Sequence, residues 1–460
     1  MRALIAVIKQ TLRASLRSHV ALVLLLLNLL AVFSLPVVVT GDGTAVGDLQ
    51  VALIYSTRVV TVLLSLAAVW LGCAGLSREI EAYNLHLVMT KPAHAWTVWL
   101  GKWLGVFLMT GGTFILSCAL IQGLVALRVN RSTFPADQRD KAANEVLVGR
   151  RVFRPATPDF KGAAVAEYTR MKQAGNLEPE HRAEAVISEL ERQIKARSTE
   201  IPAGMARTWR FTGLRVPDAD RLLYVRYRVH VNSTSQSQQR ETVGNWAVIN
   251  PDAPPEKRVA ISGMQRIMGG SFHEFAFLAE MVSPEGVVLL EYSNGDPQEA
   301  SAVFQVEDGP ELLLRVSGFA GNWWRGVAVG LLRLALLAAL GCAAGAAFSA
   351  PVAVFVSLAY LLLGAVVDTE LGAPTRDAMG SITAWTFTDA LTQVCAQAVD
   401  KTVVSFRAFD VSKALTRGHV IEWARLARLL LFQVLLRGGP LIALGIWVLS
   451  RRELGKVIRR

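Results

Sequence analysis

The sequence predicts a polytopic α-helical membrane protein: six transmembrane helices with an inserted extracytoplasmic α+β domain, mostly a β-sandwich or jelly roll. Three observations predict it. The 460 residues are 52% hydrophobic and only 18% charged, more apolar surface than a soluble fold can hide, so a bilayer must serve as part of the solvent. Six apolar runs are each long enough to cross about 30 Å of hydrocarbon as a helix. A polar block separates the third run from the fourth, and within it the apolar period falls to two.

The runs lie near Ala21–Val39, Val59–Leu76, Val98–Leu127, Val327–Phe348, Pro351–Val367 and Leu426–Leu449. Each must be helical, because hydrocarbon offers no partner to unpaired backbone groups and the runs are too continuous for barrel strands. Ahead of the first, Met1–His19 places Leu4, Ile5, Ile8 and Leu12 on one side and Arg2, Lys9, Arg13 and Arg17 largely on the other. That pattern predicts an amphipathic helix lying in the interface. No small-residue cleavage site follows the first run, so it reads as a span and not a signal peptide.

Orientation follows from basic residues in short loops. Four precede the first span, five lie in the tail Arg451–Arg460, and the turn Thr40–Gln50 carries none. Both termini are therefore expected in the cytoplasm, with the chain in a plasma or inner membrane. One segment runs against the rule: Asp368–Arg425, placed outside by this topology, holds Arg376, Lys401, Arg407, Lys413, Arg417 and Arg425. Its length weakens its vote, and an extra re-entrant or interfacial helix pair between Gly380 and Phe406 would fit there.

Three regions result. Residues 1–127 hold the N-terminal helix, three spans and a cytoplasmic loop at 77–97; residues 128–322 form the outer domain; residues 323–460 hold three spans and a basic tail. The outer block is helical in pattern over 158–200, where Ala185, Ile187, Leu190 and Ile194 recur at near-helical spacing. From 207 to 318 eight short strands follow, separated by turn signals such as Asn250-Pro251-Asp252 and Asn294-Gly295-Asp296-Pro297. This sandwich is expected to bind an extracytoplasmic protein or ligand, or to act as a spacer. Trp323 and Trp324, which follow it, are expected in an interfacial aromatic belt.

The net charge of +11 belongs to the membrane part, since the polar block is nearly neutral, and so points to lipid headgroups and away from nucleic acid. No catalytic constellation is present. His273-Glu274 opens like a zinc-protease helix, but Phe277 stands where the second histidine belongs. The cysteines suggest neither a disulfide framework nor a metal site. No phosphate-binding loop occurs, since Gly101-Lys102 is followed by Trp103. The chain is therefore expected to be no enzyme and to hold no cofactor; any ATP and Mg would sit in a partner.

Ser77-Arg78-Glu79, the stretch Asn84–Pro92 (NLHLVMTKP) and Gly101-Lys102 at the head of the third span resemble the first cytoplasmic loop of type-2 ATP-binding-cassette permeases. Phe409–Trp423 (FDVSKALTRGHVIEW) and Arg451-Arg452-Glu453-Leu454 resemble that family's closing pattern. Two departures stand out: Ala82-Tyr83-Asn84 occupies the place of the family's frequent Gly-Thr, and the family's third loop is commonly short. The resemblance implies a permease subunit of an exporter-type complex, a homodimer or a paired permease, docked on an ATPase subunit. It implies that Glu79, Glu81, Asn84, Met89, Lys91 and Pro92 form the ATPase-coupling surface.

Two charges fall inside spans, where they usually face a bundle interior or a cavity. Arg437 lies beside Gly438, Gly439 and Pro440, where a kink would admit water or a partner helix, and it serves either transport or a structural pairing. Arg333 either faces such an interior or snorkels outward from a position near its span's end. The rival to the permease reading is a non-transport membrane anchor or sensor whose outer sandwich recognises a partner.

Overall fold

A computed structural model of the chain describes residues 2–41, 43–85, 94–131, 133–156, 158–175, 183–216, 221–232, 241–297, 300–305, 308–367, 394 and 403–452. In chain order the helices and strands begin with α1 (Arg2–Arg17), α2 (His19–Val38), α3 (Ala45–Glu81), α4 (Ala95–Asn130) and α5 (Ala136–Glu145). The polar block supplies β1 (Val148–Phe153), α6 (Phe160–Gln173), α7 (Ala183–Thr199), β2 (Glu200–Ile201), β3 (Ala206–Phe211), β4 (Leu222–Arg228) and β5 (His230–Asn232). It continues with β6 (Glu241–Ile249), β7 (Val259–Met268), β8 (Phe272–Leu278), β9 (Val288–Asn294), β10 (Ser301–Val303) and β11 (Glu311–Gly318). Then come α8 (Phe319–Ala347), α9 (Ala350–Val367), α10 (Ser412–Thr416), α11 (Trp423–Arg428) and α12 (Gly438–Arg451), the last two joined by a π-helical stretch, Leu429–Arg437.

The described residues before Arg150 and after Val316 form one compact body, and Arg150–Val316 form another. Five helical stretches of the first body are long and apolar enough to cross a membrane: α2, α3, α4, α8 and Trp423–Arg451. The expected span at Pro351–Val367 is the shorter α9, which is apolar over Ala350–Gly364. Wide apolar faces stay open to the surroundings, among them Leu26 and Leu30 on α2, Phe355 and Leu362 on α9, and Leu435 and Leu436 in the last span. Such faces need lipid or another apolar partner, so the first body is that of a polytopic membrane protein.

Two helices outrun the apolar runs that announced them. At 37 residues, α3 is about 55 Å long. It starts at Ala45 because Thr44 caps it by accepting from Gly47 N at 3.0 Å and Asp48 complements the dipole in its first turn. Each end of the antiparallel α3–α4 pair carries an ionic clasp. Arg128 grips Asp48 with Nη2 to Oδ1 at 2.8 Å and Nε to Oδ2 at 3.0 Å. Its remaining N–H groups donate to the carbonyls of Pro36 and Val39, where α2 ends. Near the other end Lys102 pairs with Glu79. Between the clasps α4 carries no charge.

Lipid gives helices little hydrophobic reason to associate, so small residues let backbones meet. A Cβ on Gly72 of α3 would collide with the backbone of Gly341 and Cys342 on α8. One on Gly341 or Gly345 would collide with the backbone at Val69, Gly72 and Cys73. A second Gly-x-x-x-Gly pair, Gly101 and Gly105 on α4, receives Val7 and Thr11 of α1. The N-terminal helix therefore seats a narrow stripe of Val7, Thr11 and Ser15 on the bundle, beside the partly buried Leu4, Ile8 and Leu12 of its apolar side.

The other body is β-rich and antiparallel. Its sheets run β1-β11-β4-β8, β3-β9-β6-β7 and β2-β10-β5. Alternate residues of β6 and β9 are buried, and they share one core with Val225 and Tyr227 of β4 and Leu312 and Leu314 of β11. Trp246 stands at its centre, with ring centroids 4.8 Å from Tyr227 and 5.1 Å from Tyr292. All eight expected strand segments are present; RLLYVRYRVHV splits into β4 and β5, while β1, β2 and the helix α5 were not foreseen.

Two outcomes follow. Gly341→Leu inserts four carbons against backbone and should lower the melting temperature in detergent or abolish folded yield, whereas Gly75→Leu, whose Cβ meets nothing within 4 Å, should be tolerated. Burial pushes the Tyr227 phenol up to about 12 and raises that of Tyr292. Folding thus favours the protonated phenols, and their contribution, complete below about pH 10, is lost as pH rises toward 12. Alkaline unfolding of the β-rich body, followed by tryptophan fluorescence of the full chain, should shift upward in a Tyr227→Phe, Tyr292→Phe variant.

Candidate functional site

The helical body encloses a cavity of about 320 Å³. One wall comes from α3, where Thr57, Arg58 and Thr61 share a face by helical spacing. Opposite, α8 contributes Trp323, Val327 and Arg333 at intervals of three to four residues or their multiples, with Gly326 and Gly330 between them. Phe114 and Cys118 of α4 close one side, and the segment Phe409–Leu415 closes another. A side chain at Gly330 would strike Phe114, and one at Gly326 would strike Leu415, so the glycines admit those two residues.

Arg58 donates from Nε to Ser412 Oγ at 3.2 Å and stands 3.9 Å from Asp410 Oδ2. The Asp410 carboxylate is fixed by the short helix α10, accepting from Ser412 N at 3.0 Å and Ser412 Oγ at 2.5 Å. Arg333 lies fourteen residues into the 29-residue α8, about 20 Å from either end. Its Nε is buried and finds no hydrogen-bond partner among the described residues. Two guanidiniums and one carboxylate leave the cavity with a positive excess.

Backbone around the site is held by polar side chains. Asn322, fully buried, donates to His419 O at 2.8 Å and accepts from Ile421 N at 2.7 Å. Arg325 donates to Ile421 O at 3.4 Å and Arg425 to Ala408 O at 3.2 Å.

The sequence-derived residues separate. Arg333 does not snorkel; it faces the cavity. Arg437 is not in that wall and donates from Nη1 to Val403 O at 3.2 Å. Trp323 is 1% exposed and belongs to the cavity wall, not to an interfacial belt, while Trp324 is 41% exposed. Of the coupling surface, Glu79 is turned to Lys102, which is 3% exposed, while Glu81 and Asn84 are exposed. Met89, Lys91 and Pro92 lie outside the described residues, as does nearly all of Gly380–Phe406. The loop itself is shorter than 77–97, since α3 runs to Glu81 and α4 begins at Ala95. Reading the sequence missed Arg58, which stood one residue before the expected second span, and Asp410, which had no assigned role.

The β-rich body has its own cavity of about 250 Å³, in which the Arg207 guanidinium lies 5.7 Å above Trp209. His273 and Glu274 sit on strand β8, where they make no helical metal motif. No protein-family model, curated protein or solved structure matches this chain.

The Lys102–Glu79 clasp carries a stability consequence. Glu79→Gln strands a buried ammonium and should destabilise by about 3–5 kcal/mol, whereas Glu79→Leu with Lys102→Met should restore much of the loss. Thermal unfolding of the purified variants in detergent checks both.

Proposed function

We propose that the chain is the membrane-spanning permease subunit of an ATP-binding-cassette exporter-type complex, in which a separate ATPase subunit binds ATP and Mg and drives substrate movement. The observation that carries this reading is the cavity bearing Arg58, Arg333 and Asp410. Ionisable groups at membrane depth are costly and characteristically mark substrate or ion pathways, and a simple anchor has no use for them.

In this reading α9 is also a span, the fifth of six in chain order, both termini are cytoplasmic and the β-rich body lies outside the cell membrane. The helix ends agree with one another. Arg452 donates to Ala347 O at 2.7 Å, which puts the tail at the same end as the start of α9. The even number of spans then returns the chain to the side on which it began. Two copies, or two related permeases, would pair in the complex. ATPase docking falls to the turn after α3, where Glu81 and Asn84 are exposed and Tyr83 takes a left-handed φ of 57°, a conformation rare for a bulky residue and common where strain serves a function. The rival reading, a sensor acting through its outer domain, draws on the cavity beside Arg207 and Trp209.

Pull-down from native membranes in mild detergent, with mass spectrometry, separates the two. The wild-type chain should recover an ATPase carrying a phosphate-binding loop, and Glu81→Lys with Asn84→Lys should reduce that recovery at least about tenfold, a loss of some 1.4 kcal/mol or more, at unchanged yield of the chain. Glu79 is left intact, because its loss would act through Lys102. Reproducible recovery of other partners without any ATPase would overturn the permease reading.

A further inference from the structure

We propose that the cavity between α3, α4 and α8 binds an amphiphile with a single anionic head group, a carboxylate or a phosphate, and an apolar chain. As the substrate class of the permease it rests on the reading above; as a binding site it stands alone.

Charge comes first. Arg58 already engages Ser412 and Asp410, and Asp410 is saturated on Oδ1 by Ser412. Arg333 has neither an ion pair within 4 Å nor a bond for its buried Nε among the described residues. A guanidinium offers five donors in a planar fork suited to carboxylate or phosphate, and holding one unpaired at mid-span is expensive. A ligand with one negative charge would balance the two guanidiniums against two anions. A cation would meet net repulsion.

The walls decide the rest of the ligand. Phe114, Trp323, Val327 and Phe409 line the space with aromatic and aliphatic surface. Cavities of this size with apolar walls and a few convergent polar groups take organic molecules, the polar groups fixing orientation. A hydrated inorganic anion would leave that apolar surface facing water, whereas an acyl chain would cover it. Trp323 and Arg333 sit ten residues apart on α8, about 15 Å along the axis, which separates a head-group end from a chain end. Arg58 and Asp410 are 47% and 45% exposed, so the cavity opens beside them.

The test uses the full chain in nanodiscs of zwitterionic phosphatidylcholine, with native mass spectrometry and thermal unfolding. Three probes are titrated: oleate as a free anion, phosphatidate as a membrane lipid, and monoolein as a neutral control. Oleate, phosphatidate or both should bind and raise the melting temperature while monoolein does not, and the stronger of the two anions identifies the source. Arg333→Met should weaken that binding at least about tenfold, since a charge-assisted pair is lost, and Arg333→Lys should retain part of it. In the absence of ligand Arg333→Met should melt at the same or a higher temperature than wild type, because it removes a partly buried guanidinium whose Nε has no hydrogen-bond partner among the described residues, which keeps loss of binding distinct from loss of fold. Equal binding of monoolein, unchanged binding by Arg333→Met, or no binding of either anion to folded wild type would each overturn the proposal. So would inorganic phosphate alone reproducing the full stabilisation. None of these readouts involves an ATPase, so the site and the permease reading fail separately.

Discussion

The close approach of α3 and α8 at Gly72, Gly341 and Gly345 is the contact on which the rest of the helical body depends. Dispersion and weak Cα–H contacts act only at short range, and in lipid they replace the hydrophobic drive that soluble helices enjoy. Ser77 extends the contact, its single hydroxyl hydrogen shared between Gly345 O at 3.1 Å and Phe348 O at 2.9 Å. Once this seam is set, so is the rotation of each helix. Arg58 precedes Gly72 by fourteen residues, about four turns, and Gly330 precedes Gly341 by eleven, about three turns. The faces that touch at the glycines are therefore the faces that line the cavity. What separates seam from cavity is side-chain size, with Phe114 and Leu415 reaching in at Gly330 and Gly326.

Irregular backbone survives at membrane depth only where it is buried in protein or lines a polar space. Segment 403–422, which lies between the candidate spans, has its irregular backbone held by side chains from other elements. Asn322 serves His419 and Ile421, Arg325 serves Ile421, Arg425 serves Ala408, and Arg437 serves Val403. This accounts in part for the basic residues that conflicted with the topology rule. Arg425 is a donor to the backbone carbonyl of Ala408, so its charge has a structural use apart from any vote on which side of the membrane the loop lies. The same donors hold Asp410 in place, since the turn that carries it is tied to α8 on one side and to the last span on the other.

Much of the fold was legible because its signals are local. Long apolar runs must become helices in lipid, and alternating runs between Asn-Gly and Asp-Pro turns must become strands; both sets were found. Helix ends were not, since α3 continues through Asp48 and Arg58 at one end and Arg78 and Glu79 at the other, and hydropathy falls wherever charges enter. Those charges are tolerated because Arg128 and Lys102 neutralise two of them from α4, which no window along α3 alone can reveal. Strand β1 was hidden for a related reason. Its Arg150 is fully buried against Glu274 at 2.7 Å, so a residue that reads as surface lies inside.

The candidate site was half legible, and the division follows from what a span reports about itself. Arg333 announced itself as a charge in a long apolar helix. Arg437 announced itself in the same way, yet its guanidinium serves a carbonyl outside the cavity wall, so intramembrane charge alone does not distinguish a structural donor from a cavity residue. Arg58 is the only charged residue of α3 between Asp48 and Arg78, a signal that appears once the helix is extended to Ala45. Asp410 lies 77 residues beyond Arg333 and gave no local signal at all. The contact seam at glycines 72, 341 and 345 sets the helix rotations that turn Arg58 and Arg333 to one cavity, and the turn before α10 adds Asp410, which stands 3.9 Å from Arg58.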